Sequence, residues 1–179
     1  LKVMEEPPEG VLFLLTADSL ASVLPTIRSR CVSFAVAPVS PADCTRYCAV
    51  QGVDKKTAAL YSELFDGHIG TVLDATRDEA RRAQVDRALA LAKAAAAQDS
   101  YAAAVLLAAY EKEKVGAAAL LADFRAVAAA GLRGSPRAPV QGDAARKALA
   151  AADAAIQRLG AQVNPKITLS VLAMKFRTF

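Results

Sequence analysis

The sequence predicts a mainly α-helical chain with two short strands near its start. Three patterns carry that expectation. From Ser40 onward apolar residues recur with roughly the 3.6-residue period of a helix, whereas before it they alternate or run together. Beyond Ala80 alanine dominates, and alanine has the highest helix propensity of any residue. Ahead of Ser40 lie two short apolar runs bounded by turn residues, the pattern of strands buried in a sheet.

Composition sets the outer limits. A chain of 179 residues, 54% hydrophobic and 22% charged, is too apolar for intrinsic disorder and fits one domain or two small ones. Aromatics are only 6% and Trp is absent, so much of the apolar content is methyl-sized and suits close helix–helix packing. With 22 basic and 18 acidic residues the net charge is +4, which permits nucleic-acid contact without arguing for it. No run approaches about 20 large apolar residues free of charge, so no membrane span is expected. The opening residues lack the pattern of a signal peptide. Three cysteines, an odd number, do not make a disulfide framework, and a reducing cytoplasm is the expected setting.

Leu1-Lys2-Val3-Met4-Glu5-Glu6 reads as the last turn of a helix that Pro7 and Pro8 stop, and the chain is expected to be a piece of something longer. Val11-Leu12-Phe13-Leu14-Leu15-Thr16 has the length of a strand buried on both faces. After Asp18, Ser19 can cap one or two helical turns reaching Leu24. Pro25 and the polar Thr26-Ile27-Arg28-Ser29-Arg30 follow, and Cys31 to Val36 alternates as a second strand. Two lone strands do not make a stable sheet in water. Residues 1–37 are therefore expected to be poorly packed by themselves or paired with another molecule.

Ser40-Pro41-Ala42-Asp43 combines an N-cap hydroxyl, proline at the first helical position and an early acid, a strong helix start. That helix should stop at Gly52, a second should run from the Asp54 cap to Gly67, and a third should begin near Ile69. Arg77 to Gln98 contains neither Pro nor Gly and reads as one long helix, and its continuity with the third stays open. Ser100 is expected to cap a helix to about Lys114, with another from Val115 to Ala130. Leu132 to Gly142 is the Gly- and Pro-rich loop. A further helix runs from Asp143 to Leu159, and Asn164-Pro165 open the last, whose apolar Leu169, Leu172, Met174 and Phe176 suit a bundle core.

The stretch richest in chemistry is Leu24-Pro25-Thr26-Ile27-Arg28-Ser29-Arg30-Cys31, set between the two apolar runs. A guanidinium on a short loop can reach outward to an oxyanion, because its planar fork stays charged and binds bidentately. Cys44 and Cys48 lie one helical turn apart, but zinc needs about four ligands and the sole histidine, His68, has no evident claim to be one, so no metal is expected. Arg77, Arg81, Arg82, Arg87 and Lys93 alternate with acids along one helix and read as a solvated face, with a second loose basic group at Arg133, Arg137, Arg146 and Lys147. No Gly-x-x-x-x-Gly-Lys-Ser/Thr loop occurs, and no Asp-Glu pair follows a strand to hold Mg²⁺, so the chain is not expected to hydrolyse ATP alone.

Glu5-Glu6-Pro7-Pro8, the run Val11 to Thr16, and Leu24 to Cys31 together resemble the clamp-loader branch of the AAA+ ATPases, most closely its delta-prime subunits of bacterial DNA polymerase III. The resemblance is dense over residues 1–37 and looser beyond, at Asp66-Gly67-His68-Ile69-Gly70 and Asn164-Pro165. It implies that residues 1–37 are the truncated end of an AAA+ α/β domain, 38–77 a three-helix lid and 78–179 a helical collar that holds subunits together. It also implies that Arg30, in Ser29-Arg30-Cys31, is an arginine finger acting in trans, and that Thr16 sits at the sensor-1 position. ATP and Mg²⁺ would then be held by neighbouring subunits, with no cofactor in this chain. The partners would be other loader subunits, the sliding clamp and primer-template DNA. The turn Gly67 to Thr71 carries no sensor-2 arginine, which departs from the motor subunits. Two other readings stay open: a truncated ATP-binding motor subunit, and a free-standing helical adaptor.

Overall fold

A computed structural model of the chain describes residues 2–17, 19–37 and 39–179. Leu1, Asp18 and Pro38, expected at a helix end, in a turn and at the start of the second region, lie outside the described residues. The chain divides into two compact units, Leu1–Ala37 and Pro38–Phe179.

The first unit holds two single-turn helices, α1 (Lys2–Glu5) and α2 (Pro25–Arg28), with a 3₁₀ turn at Leu20–Ser22 between them. The expected helix end ahead of Pro7 is present, and Ser19 caps the 3₁₀ turn, its hydroxyl accepting from the Ala21 N–H. The two expected strands are not formed among the described residues. Residues 12–17 and 32–37 make no backbone hydrogen bond there, and Leu14 (85%), Phe34 (84%) and Val36 (95%) stand almost fully in solvent. The reason is physical: a strand exists through its ladder, and neither run finds a partner for its N–H and C=O groups.

The second unit is a helical bundle. It contains α3 (Pro41–Val50), α4 (Lys55–Leu64), α5 (Ile69–Arg77), α6 (Glu79–Ala96), α7 (Ser100–Ala108), α8 (Lys114–Leu132), α9 (Gly142–Gly160) and α10 (Pro165–Lys175), then a 3₁₀ turn at Phe176–Thr178. Capping follows the sequence closely. Ser40, Asp54 and Asn164 each accept a backbone N–H from the first turn of the helix they precede. Two boundaries differ from expectation. The long helix is not continuous with α5, because Asp78 adopts an extended conformation and its carboxylate takes the N–H groups of Ala80 and Arg81. The cap of α7 is Asp99 rather than Ser100, and that helix ends at Ala108, well short of Lys114. Acids and hydroxyls compete for the same orphan donors, and here the Asp99 carboxylate takes the Ala102 N–H.

α8 lies at the centre, packed most extensively on α9 and then on α6. Phe124 is fully buried and stacks on Phe176, which meets Phe179 in turn, so the end of the chain is sewn to the middle of the bundle. α8 is long and apolar enough to pass a length-and-composition test for a membrane helix, but half of its apolar window is buried inside the bundle. Alanine makes the close approach work. Around it Ala117, Ala128, Ala130, Ala145, Ala148 and Ala152 are all inaccessible. Gly131 is the limiting case: a Cβ there would stand 1.9 Å from the Val140 carbonyl oxygen.

Two glycines in helices therefore give opposite expectations. Gly131→Ala should destabilise by about 1–3 kcal/mol or more, as overpacking does, whereas Gly70→Ala, with open space where its Cβ would sit, should be neutral or stabilising by up to about 1 kcal/mol. Chemical denaturation of the two variants checks both.

Candidate functional site

Arg30 lies just beyond α2. Pro25 opens that helix, and the Ser29 N–H donates to Pro25 O (3.0 Å) while the Arg30 N–H donates to Ile27 O (3.0 Å), closing a tight turn. Curling back over the turn, the side chain donates from Nη1 to Thr26 O at 2.6 Å and to Ser29 Oγ at 3.4 Å. Its Nη2 forms an ion pair with Glu5 Oε1, at the end of α1. Both partners stay open to solvent, with 32% of the Arg30 side chain and 45% of the Glu5 side chain exposed. The guanidinium is thus oriented by backbone and neutralised by one carboxylate of its own unit, with donors left over for an oxyanion.

Thr16 sits on the irregular stretch before Asp18, exposed, and makes no side-chain hydrogen bond among the described residues. No hydrogen bond joins it to Arg30 among the described residues. Sequence reasoning singled out Arg30 and missed Glu5 as its partner. The Glu5-Glu6 pair was legible as part of a motif, but an ion pair between the ends of two separate turns has no periodic signature.

The basic groups of the bundle are largely spoken for. Arg81 donates from Nη2 to Asp123 Oδ1 (2.7 Å), pairs through Nη1 with Oδ2, and lies over the Phe65 ring. Gln84 donates to the same carboxylate at 2.7 Å. Asp123 is buried, and its hydrogen bond holds the Arg81 guanidinium charged still more firmly than usual. Arg82 bonds Thr76 O and Arg87 bonds Tyr110, so this face is tied inward rather than solvated throughout. The second group is met by acids: Arg133 by Asp66, Arg137 by Glu63, and both Arg146 and Lys147 by Asp143. Glu63 is a hub, since its carboxylate also accepts from Ser135 Oγ (2.5 Å) and its backbone carbonyl from Arg133 (3.2 Å).

Cys44 and Cys48 are wholly buried on one side of α3, whereas Cys31 is partly exposed. Burial, reinforced by Cys44, pushes the Cys48 thiol up to about 11. His68 precedes α5 with no side-chain cap bond. Among the described residues no group of three or more His, Cys, Asp or Glu is placed to hold a metal ion.

Residues 1–40 match the family model for DNA polymerase III, delta subunit. The match contains Glu5, Thr16 and Ser29-Arg30-Cys31 and supports a clamp-loader-type DNA polymerase III subunit family. No curated protein matches the chain, and no solved structure does.

Thiol labelling follows from this geometry. In the native chain at pH 8, Cys31 alone should react with an alkylating reagent, and all three cysteines should react after denaturation. A thiol whose folded value lies above its ordinary 9.0 contributes stability that is present below pH 9 and lost as pH rises towards about 11. Rapid native labelling of Cys48 would contradict its buried position.

Proposed function

We propose that the chain is a delta-prime-type clamp-loader subunit of a bacterial DNA polymerase III. It supports ATP-dependent loading of the sliding clamp onto primed DNA and works in the cytoplasm. The observation that carries the proposal is the family match over residues 1–40 together with the placement of Arg30 within it, on a tight turn with its guanidinium open to solvent. In that role ATP and Mg²⁺ belong to a neighbouring subunit, and Arg30 reaches across to them. Phosphoryl transfer spreads charge over the γ-phosphate oxygens, and a second-subunit guanidinium stabilises that charge only when the two subunits are correctly docked. Hydrolysis is thereby tied to assembly. Thr16 would stand at the sensor position of the same unit.

The bundle supports the assembly half of the proposal. α7 carries no charged residue from Ser100 to Ala108, and Tyr101 and Val105 on it are exposed. α10 packs against it and exposes Ile167 and Met174, one helical face apart from the buried Leu169 and Leu172. The expected core role of this last segment is met by Leu169 and Leu172 on α10 and by Phe176 in the 3₁₀ turn after it, while Met174 faces outward. A helix that is apolar all round is normally covered, and neighbouring loader subunits are the proposed cover.

Substitutions at two places separate the two halves. Arg30→Ala should leave co-elution with loader subunits intact and lower clamp-stimulated ATP hydrolysis by about tenfold or more. Arg30→Lys should recover little, since a point charge does not reproduce the fork. Ile167→Asp with Met174→Asp should weaken co-elution instead. A chain that never co-elutes with loader subunits would favour a free-standing helical adaptor.

A further inference from the structure

Resting on the reading of Arg30 as a finger acting in trans, we propose that Glu5 is its positioning residue: a counter-ion in cis that holds the guanidinium until a neighbour's triphosphate displaces it. The contacts of Arg30 divide into two kinds. Thr26 O at 2.6 Å and Ser29 Oγ at 3.4 Å are neutral and belong to the same turn, so they orient the fork without cancelling its charge. Glu5 is the one ion-pair partner of Arg30 among the described residues. The pair as a whole is neutral and exerts little long-range pull on a phosphate. Releasing Glu5 restores a full positive charge while the turn keeps the fork aimed.

The pair is also built to be broken. With 32% and 45% of the two side chains exposed, water screens it and its strength is that of a surface ion pair. A γ-phosphate offers more charge and three acceptor oxygens in the geometry that a guanidinium binds bidentately. It therefore outcompetes one carboxylate when docked, while a stray anion at low concentration does not. Glu5 has a fixed place from which to act: it is the final residue of α1, and Pro7 and Pro8 stop the chain from continuing that helix. Glu6 and Glu9, close by in sequence and exposed, make no ion pair with Arg30 among the described residues.

The test is steady-state ATP hydrolysis by the chain reconstituted with the ATP-binding loader subunits, measured without clamp or DNA. Glu5→Gln should raise kcat by roughly two- to five-fold, the range that an exposed ion pair can hold back, with KM for ATP unchanged. Glu5→Asp should fall between the two, and Glu6→Gln should match the parent. In an Arg30→Ala background Glu5→Gln should add nothing, because Glu5 acts through Arg30. An unchanged or lower kcat for Glu5→Gln, or a rise that persists without Arg30, would overturn the role of Glu5 while leaving the finger intact. Arg30→Ala without effect on hydrolysis would remove the finger itself, and the positioning role with it.

Discussion

The constraint that shapes this molecule is that an apolar strand-forming run has no stable existence without neighbours. Residues 39–179 build a buried core of their own, whereas residues 12–17 and 32–37 make no backbone hydrogen bond and add nothing to that core among the described residues. The helical unit needs nothing further to hold its core together. The first unit keeps only what local hydrogen bonds can build: two helical turns, a 3₁₀ turn and the tight turn that carries Arg30. Its one chemically pointed group survives because it is aimed by the Thr26 carbonyl, a neighbour in sequence, rather than by a sheet.

In the bundle, the same economy of small residues explains both packing and charge placement. Alanine lets α6, α8 and α9 approach closely, but it offers nothing to satisfy a buried polar group. Asp123 on α8 is therefore answered from α6 by Arg81 and Gln84, and it locks those two helices in register. Removing Arg81 leaves the buried Asp123 carboxylate with Gln84 alone, the kind of loss that costs about 3–5 kcal/mol in a fully buried pair. The Glu63 hub does comparable work at the surface, joining the end of α4 to the loop before α9 through Ser135, Arg133 and Arg137. Arg81, Arg133 and Arg137, basic residues that could have faced a phosphate, are thus occupied in joining elements of the bundle.

Helix starts were the most legible part of the sequence, because capping is local chemistry: Ser40, Asp54 and Asn164 announced themselves through their own side chains. The sequence leaves the break at Asp78 open, since an acid inside a helix-favouring stretch reads equally as surface charge or as a cap. The strands failed for the opposite reason, being defined by partners that a single segment cannot display. Ser29-Arg30-Cys31 was readable as a motif, but its pairing with Glu5 depends on two separate turns meeting, and neither turn encodes that alone. Met174 shows the same limit. Its apolar character was evident, while its outward direction follows from how α10 lies against α7 and α9.

The central claim is that one guanidinium is lent to a neighbour's nucleotide. A structure of the chain in an assembled loader, with a mimic of ATP in transfer bound to the adjacent subunit, tests it most directly. The account predicts Arg30 within hydrogen-bond distance of the γ-phosphate position, free of Glu5 and still held by Thr26 O. Arg30 remaining on Glu5, with no phosphate oxygen in reach, would contradict it.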